Sequence, residues 1–308
     1  MTTRIAFLGP RGSFAEAALR TLPISDEAEL IAASSVQAAL DAARDGSVDF
    51  ALVPIENSVE GAVSITLDEL ANGEPLVIVD EAVLAVSFSL VVRPGTLLSD
   101  VTRIATHPHA AAQVRGWISE NLPDAVMLPA LSTAAAAQGL LDPACGYDAA
   151  VSQRIVTELY DVESLADEIE DTPDAITRFV LVQRPGAIPE RTGADKTTLS
   201  LFIRSDQPGA LLAILNEFAA HGVNLTRIES RPTRKQLGDY YFSVDIEGHV
   251  NDSRVSEALM GLHRVCLDVR FMGSYPRHDG KTPVLREGVT DSDFAEAHQW
   301  LRQLKGEI

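Results

Sequence analysis

Thr177-Arg178-Phe179 sets a hydroxyl, a guanidinium and an aromatic ring in consecutive positions ahead of the apolar run Val180-Leu181-Val182. From Ile155 to Ile176 the chain carries eight acids and no Lys or Arg, so this arginine either meets an anionic substrate or pairs with the acidic run. Pro54-Ile55-Glu56-Asn57-Ser58 leaves a strand-like segment at its carboxyl end, the edge at which α/β sheets place ligands. Three successive hydrogen-bonding side chains there are costly to bury without partners, and Gly61 with Ser64-Ile65-Thr66-Leu67-Asp68 would let the loop fold back over a pocket. Thr106-His107-Pro108-His109 also follows a strand, with Gln113 one helical turn beyond His109. Two His at i and i+2 suit a substrate hydrogen bond better than a metal. Gly9-Pro10-Arg11-Gly12-Ser13-Phe14 opens a helix after the first strand, where an anion meets free backbone N–H groups. It is not a dinucleotide fingerprint, because Gly-x-Gly-x-x-Gly is missing and the second strand ends in Ala33-Ser34 without a ribose-binding acid. A Gly-x-Ser-x-Gly elbow, a His-Glu-x-x-His helix and a Walker loop are all absent from the sequence, which disfavours hydrolase and phosphotransferase chemistry.

These runs need elements to hold them. Strand patterns at Arg4 to Leu8, Leu30 to Ala33, Asp49 to Pro54, Leu76 to Val79, Phe88 to Val92, Arg103 to Ala105 and Phe179 to Gln183 alternate with helical spacing. The helical stretches are Ser13 to Arg20, Val36 to Arg44, His109 to Glu120 and Ser132 to Leu140, with Ser34, Ser35 and Ser132 as available N-caps. That order predicts α/β architecture with largely parallel sheets. The stretch around Pro185-Gly186 and Pro189 reads as a linker over 185–196. Beyond it, β-α-β-β-α-β within about 80 residues predicts a ferredoxin-like unit whose sheet edge can pair with a second copy. The tail, 276–308, holds one helix from Asp291 to Leu304 with Phe294, Ala297 and Leu301 on one face.

Composition bounds the partners. The 308 residues carry 25 Lys and Arg against 44 Asp and Glu, a formal charge of −19, which repels nucleic acid and anionic membrane surfaces. Residues 1–196 hold 12 of the bases and 29 of the acids, so 12 − 29 = −17 of that charge lies ahead of the second unit. The first residues have too short an apolar run for a signal peptide, and no stretch reaches the ~20 apolar residues of a membrane span. A cytoplasmic protein without nucleic-acid or membrane partners is expected. Cys145 and Cys266 lack zinc-ligand spacing and are expected to be buried free thiols.

Taken together, Gly9-Pro10-Arg11-Gly12-Ser13-Phe14, Pro54-Ile55-Glu56-Asn57-Ser58, Thr66-Leu67-Asp68, His107-Pro108 with Gln113, and Thr177-Arg178-Phe179 resemble the motifs of the prephenate dehydratase family, in the family's order and over nearly all of residues 3 to 275. Pro208-Gly209-Ala210-Leu211, Asn224-Leu225-Thr226 and Glu229-Ser230-Arg231-Pro232 resemble those of its ACT regulatory module. The resemblance implies a two-lobed catalytic domain over 1–184 of the kind found in periplasmic binding proteins. Its lobes would be 1–78 with 160–184, and 79–159, with the substrate between them, and an ACT domain would cover 197–275. It implies a hydro-lyase that turns prephenate into phenylpyruvate, carbon dioxide and water in phenylalanine synthesis, with neither metal nor organic cofactor. Thr177 is then the candidate hydrogen-bond donor to the leaving hydroxyl. Arg178 would offset the charge of the dianion and Phe179 would pack the ring, while Asn57, Ser58, Ser13, Glu56, His107 and Gln113 are further substrate contacts. L-Phenylalanine would bind the ACT module at Gly209, Ala210, Leu211, Leu212, Asn224, Leu225, Glu229 and Ser230, within a homo-oligomer, dimer or tetramer, built through both domains. A non-catalytic amino-acid or aromatic-acid sensor is the alternative. An added chorismate mutase domain is not expected, because the chain starts at the first dehydratase strand.

Overall fold

The computed structural model describes residues 2–234 and 239–307. Strand β1 (Arg4–Leu8) pairs in parallel with β2 (Glu29–Ala33) on one side and β3 (Phe50–Asn57) on the other, with α1 (Phe14–Leu19) and α2 (Val36–Asp45) as the connections. Ile5, Ala6 and Phe7 are wholly buried, as a central parallel strand requires. Ser35 caps α2 by accepting the Ala38 N–H at 3.1 Å, and the helix stops at Gly46, whose φ of 83° is left-handed. The short β4 (Gly61–Ala62) turns back on β3, setting Asn57 opposite Gly61. The run from Ser64, expected to be a covering loop, is instead helix α3 (Ser64–Asn72), tied to β3 by the Thr66 hydroxyl donating to the Pro54 carbonyl at 2.5 Å. With β5 (Val77–Ala85) and β11 (Ile176–Gln183) the sheet has six strands, in the order β2-β1-β3-β11-β5 and with β4 beside β3.

A second sheet is built from β6 (Ser89–Val92), β7 (Arg103–Thr106), β8 (Val126–Pro129), β9 (Ala149–Ser152) and β10 (Glu163–Ala166), in the order β10-β6-β9-β7-β8. It is mixed where a largely parallel one was expected: β7 runs parallel to β8 and β9, but β6 runs against β9 and β10. Helices α4 (Pro108–Gln113), α5 (Arg115–Asn121), α6 (Thr133–Gly139) and α7 (Val156–Leu159) accompany it. The expected single helix from His109 to Glu120 is broken at Val114, where φ is −120°. The chain crosses between the two sheets twice, along neighbouring paths. The Val86 N–H bonds the Ala175 carbonyl at 2.7 Å, and the Ile169 N–H bonds the Phe88 carbonyl at 3.1 Å. These crossings correct the expected lobe limits of 78 and 160: β5 stays in the first sheet to Ala85, and β10 joins the second through its register with β6.

Two compact units divide the chain, Met1–Thr66 with Ala82–Phe179, and Leu67–Glu81 with Val180–Ile308. The second contains β12 (Asp195–Phe202), α8 (Ala210–Ala220), β13 (Leu225–Pro232), β14 (Tyr240–Glu247), α9 (Ser253–Val265) and β15 (Asp268–Pro276). Its sheet order, β13-β14-β12-β15, is ferredoxin-like. Leu199, Leu201, Ile214, Phe218, Val244 and Leu262 form its apolar core. The segment Leu67–Glu81 groups with this sheet for visible reasons. Buried Asp68 accepts hydrogen bonds from Arg231 at 3.0 Å and from the Tyr241 hydroxyl at 3.0 Å, Lys196 pairs with Glu81 at 2.8 Å, and Arg270 donates to the Ala71 and Gly73 carbonyls. At Gly273, φ is 135° and a Cβ would lie 2.2 Å from the Ile78 carbonyl oxygen. Helix α10 (Asp291–Leu304) follows, capped by Thr290 and with none of its residues fully buried. No helix among the described residues is long and apolar enough to cross a membrane.

Candidate active site

A cavity of about 890 Å³ opens among the carboxyl ends of β1, β3 and β7, the start of β11 and the loops that follow. Every lining residue belongs to the first compact unit. Alternation along β11 turns Thr177 and Phe179 towards the cavity and Arg178 to the opposite face, the period of two that any strand imposes. Arg178 is 8% exposed and approaches Glu56 at 3.7 Å; neither lines the cavity. The expected substrate contacts at these two positions are therefore placed behind the wall.

Asn57 is the pivot of the site. Its Oδ1 accepts the Val59 and Glu60 N–H groups at 2.8 and 2.9 Å, which fixes the amide in the turn between β3 and β4. Its Nδ2 donates to Thr177 Oγ1 at 2.8 Å. With a donor on that oxygen, the Thr177 O–H is left to point at a ligand. Ser58 is turned to other work: its Oγ accepts the Ile176 N–H at 2.9 Å and its own N–H bonds the Ile176 carbonyl. It stitches the β3 turn to β11 and does not line the cavity. Ser13 does line it, yet its hydroxyl already donates to the Leu8 carbonyl at 2.7 Å and accepts the Glu16 N–H at 3.3 Å.

Glu16 escaped the sequence reading, although Ser13-Phe14-Ala15-Glu16 has the spacing of a capping box. Wholly buried, its carboxylate accepts the Gly12 N–H at 2.7 Å and two bonds from Arg20, shaping the loop that walls the cavity. Phe14 and Phe88 meet edge to face at 5.5 Å on one apolar wall. His107 and Gln113 line the other side, as does His109, whose Nδ1 lies 2.9 Å from the Glu60 carboxylate. His107 Nδ1 accepts the His109 N–H at 3.3 Å. Burial, with His109 beside it, holds the His107 imidazole below its usual range, so it is neutral near pH 7. Among the described residues no group of three or more His, Cys, Asp and Glu side chains is gathered to hold a metal ion.

In the second unit, Gly209, Ala210, Leu211 and Leu212 line a separate cavity of about 470 Å³ with Phe242. Asn224, Leu225, Glu229 and Ser230 are not brought to it; Glu229 and Ser230 lie on β13, the edge strand of the sheet. Arg231, beside them, is engaged with Asp68.

A family model described as "Prephenate dehydratase" matches residues 5–187, and one described as "ACT domain" matches 197–264. A prephenate dehydratase of Mycolicibacterium vanbaalenii is 48% identical over 315 residues, covering 98% of each chain. The crystal structure of a prephenate dehydratase from Arthrobacter aurescens in complex with L-Phe superposes with a TM-score of 0.94 at 50% identity, covering 99% of this chain and 100% of that one. A structure described as a novel type of quorum quenching acylase has a TM-score of 0.78 at 32% identity, covering 89% and 97%.

Proposed function

Because this chain belongs to the prephenate dehydratase family, we propose that the cavity between β3, β11 and the α4 segment is where its reaction takes place, with Thr177 as the donor. The enzyme is a hydro-lyase that converts prephenate to phenylpyruvate, carbon dioxide and water in aromatic amino-acid synthesis. In that reaction the ring hydroxyl departs as water and the carboxylate on the quaternary carbon departs as carbon dioxide. The electron pair of the broken carbon–carboxylate bond enters the ring, which becomes aromatic. One proton is taken up at the departing oxygen, so a donor placed there lowers the barrier while aromatisation supplies the driving force. A hydroxyl of ordinary acidity serves by hydrogen bonding to the leaving group and not by full proton transfer, and the proton that completes the departing water comes from solvent. The reaction so drawn uses neither metal nor organic cofactor.

The observation that carries this reading is the bond from Asn57 Nδ2 to Thr177 Oγ1, which orients the Thr177 proton. Phe179 packs the ring side, His107 and Gln113 supply neutral polar contacts, and Ser13 acts through the loop it caps. Arg178, Glu56 and Ser58 hold the wall. Acyl transfer, the chemistry of the acylase-like relative, needs a nucleophile beside a base. The Ser13 hydroxyl donates to the Leu8 carbonyl and Thr177 accepts from the Asn57 amide, so neither of these two is bonded to a base, and the family match favours dehydration. The same turnover separates the enzyme from a non-catalytic sensor. Thr177→Ala is expected to lower kcat by about 10²–10³ with stability changed by under about 1 kcal/mol, measured by phenylpyruvate formation and urea unfolding. A kcat within a few fold of the parent removes Thr177 from this role.

L-Phenylalanine, present in the Arthrobacter aurescens complex, is the feedback effector in this reading, held in the ACT domain. Gly209, at φ 88° with open space where a Cβ would be, lets a ligand reach the backbone at the head of α8. Paired edge strands would join two copies into a dimer or tetramer working in the cytoplasm. Gly209→Val is expected to abolish inhibition by phenylalanine while turnover persists; inhibition at the parent's concentration would place the effector elsewhere.

A further inference from the structure

The substrate carries two carboxylates, yet among the described residues lining the cavity there is no Lys or Arg. Arg178 is turned away, and Glu60 adds a negative charge at the rim. The imidazoles of His107 and His109 are the basic side chains that face the cavity. They are not equivalent. His107 uses Nδ1 to accept a backbone N–H, which leaves it one neutral donor. His109 instead sets Nδ1 within 2.9 to 3.0 Å of the Glu60 carboxylate, reaching from the second sheet's side of the cavity to the turn after β3.

We propose that His109, backed by Glu60, is the cationic contact for one carboxylate of prephenate. With Nδ1 held by the Glu60 carboxylate, Nε2 is the ring nitrogen left for an incoming anion, to which it donates when the ring is charged. The pair is exposed, with side chains 65% and 45% accessible, so in the free enzyme it contributes little to stability. Its value appears when a substrate covers it and removes water, where a charged hydrogen bond gains strength. The arrangement also selects dianions, since a ligand lacking the second carboxylate would leave the imidazolium facing nothing. The groups facing the His109 ring are Glu60, from the turn, and His107, whose ring centroid is 5.0 Å away.

The inference rests on the cavity being the reaction site, so three variants are measured together. His109→Gln is expected to raise KM for prephenate about tenfold while kcat stays within about twofold. Glu60→Gln should raise KM by a smaller factor, because His109 loses the carboxylate that orients its ring. Both side chains are exposed, so unchanged melting temperatures should accompany these effects. A His109→Gln enzyme with unaltered KM overturns the proposal even if Thr177→Ala has lost its kcat. If Thr177→Ala keeps its kcat and His109→Gln its KM, the cavity is not the reaction site and both readings fall.

Discussion

The Arg178 guanidinium is buried beside Glu56 on the face of β11 away from the cavity, so its substitution should act on the wall and not on the ligand. Arg178→Lys keeps the charge but loses the planar fork. It is expected to destabilise the fold by about 1–3 kcal/mol with KM nearly unchanged, read from urea midpoints and steady-state kinetics. A tenfold KM effect at an unchanged midpoint would return Arg178 to the substrate. Cys266 gives a second test at this scale. It is 1% exposed, and burial pushes its thiol up to about 11, so it presents almost no thiolate near pH 8. A thiol reagent should modify Cys145, which is partly exposed, in the native protein and reach Cys266 only after unfolding; equal rates for both would contradict the packing.

At the scale of elements, Gly273 marks where β15 passes the backbone at Ile78. Gly273→Ala meets both a left-handed φ and a carbonyl oxygen 2.2 Å from the new Cβ, and is expected to cost at least about 2 kcal/mol. Gly193→Ala, at φ 87° with nothing within 4 Å, is expected to cost only about 1 kcal/mol. Equal urea midpoints for the two would mean that the close approach is unimportant. Much of this level was legible in the chain. The apolar spacing of Ser253–Val265 and Asp291–Leu304 marks α9 and α10 at their observed ends, and from the polar runs at the ends of β3 and β7 Asn57, His107 and His109 do line the cavity. Other parts could not be read. Strand β9 is Ala149-Ala150-Val151-Ser152, whose alanines have little intrinsic β preference and become a strand only between β6 and β7. The orientation of Arg178 needs the register of β11 against the cavity, and the meeting of Glu60 with His109 joins residues 49 apart, a contact that only the folded sheets create.

For the molecule as a whole, the order of the strands in the first sheet has a consequence for how the chain comes to be folded. Strand β11 lies between β3 and β5, so that sheet cannot close until Ile176–Gln183 has been made, whereas every strand of the second sheet is present by Ala166. The second sheet's chain is also continuous, from Ser89 to Ala166, and its contacts close shorter loops than those between β3 and β11. Pulse-labelled hydrogen exchange during refolding of the full chain should therefore protect amides of β6, β7 and β9 before those of β3 and β11; the reverse order would show that the first sheet nucleates. On the ribosome, where synthesis proceeds at about 5–20 residues per second, the apolar strands Phe50–Asn57 and Val77–Ala85 emerge several seconds before the strand that joins them. That interval leaves two unpaired edges open to neighbouring chains, and makes the rate of translation through residues 86 to 183 a determinant of how much nascent enzyme escapes aggregation.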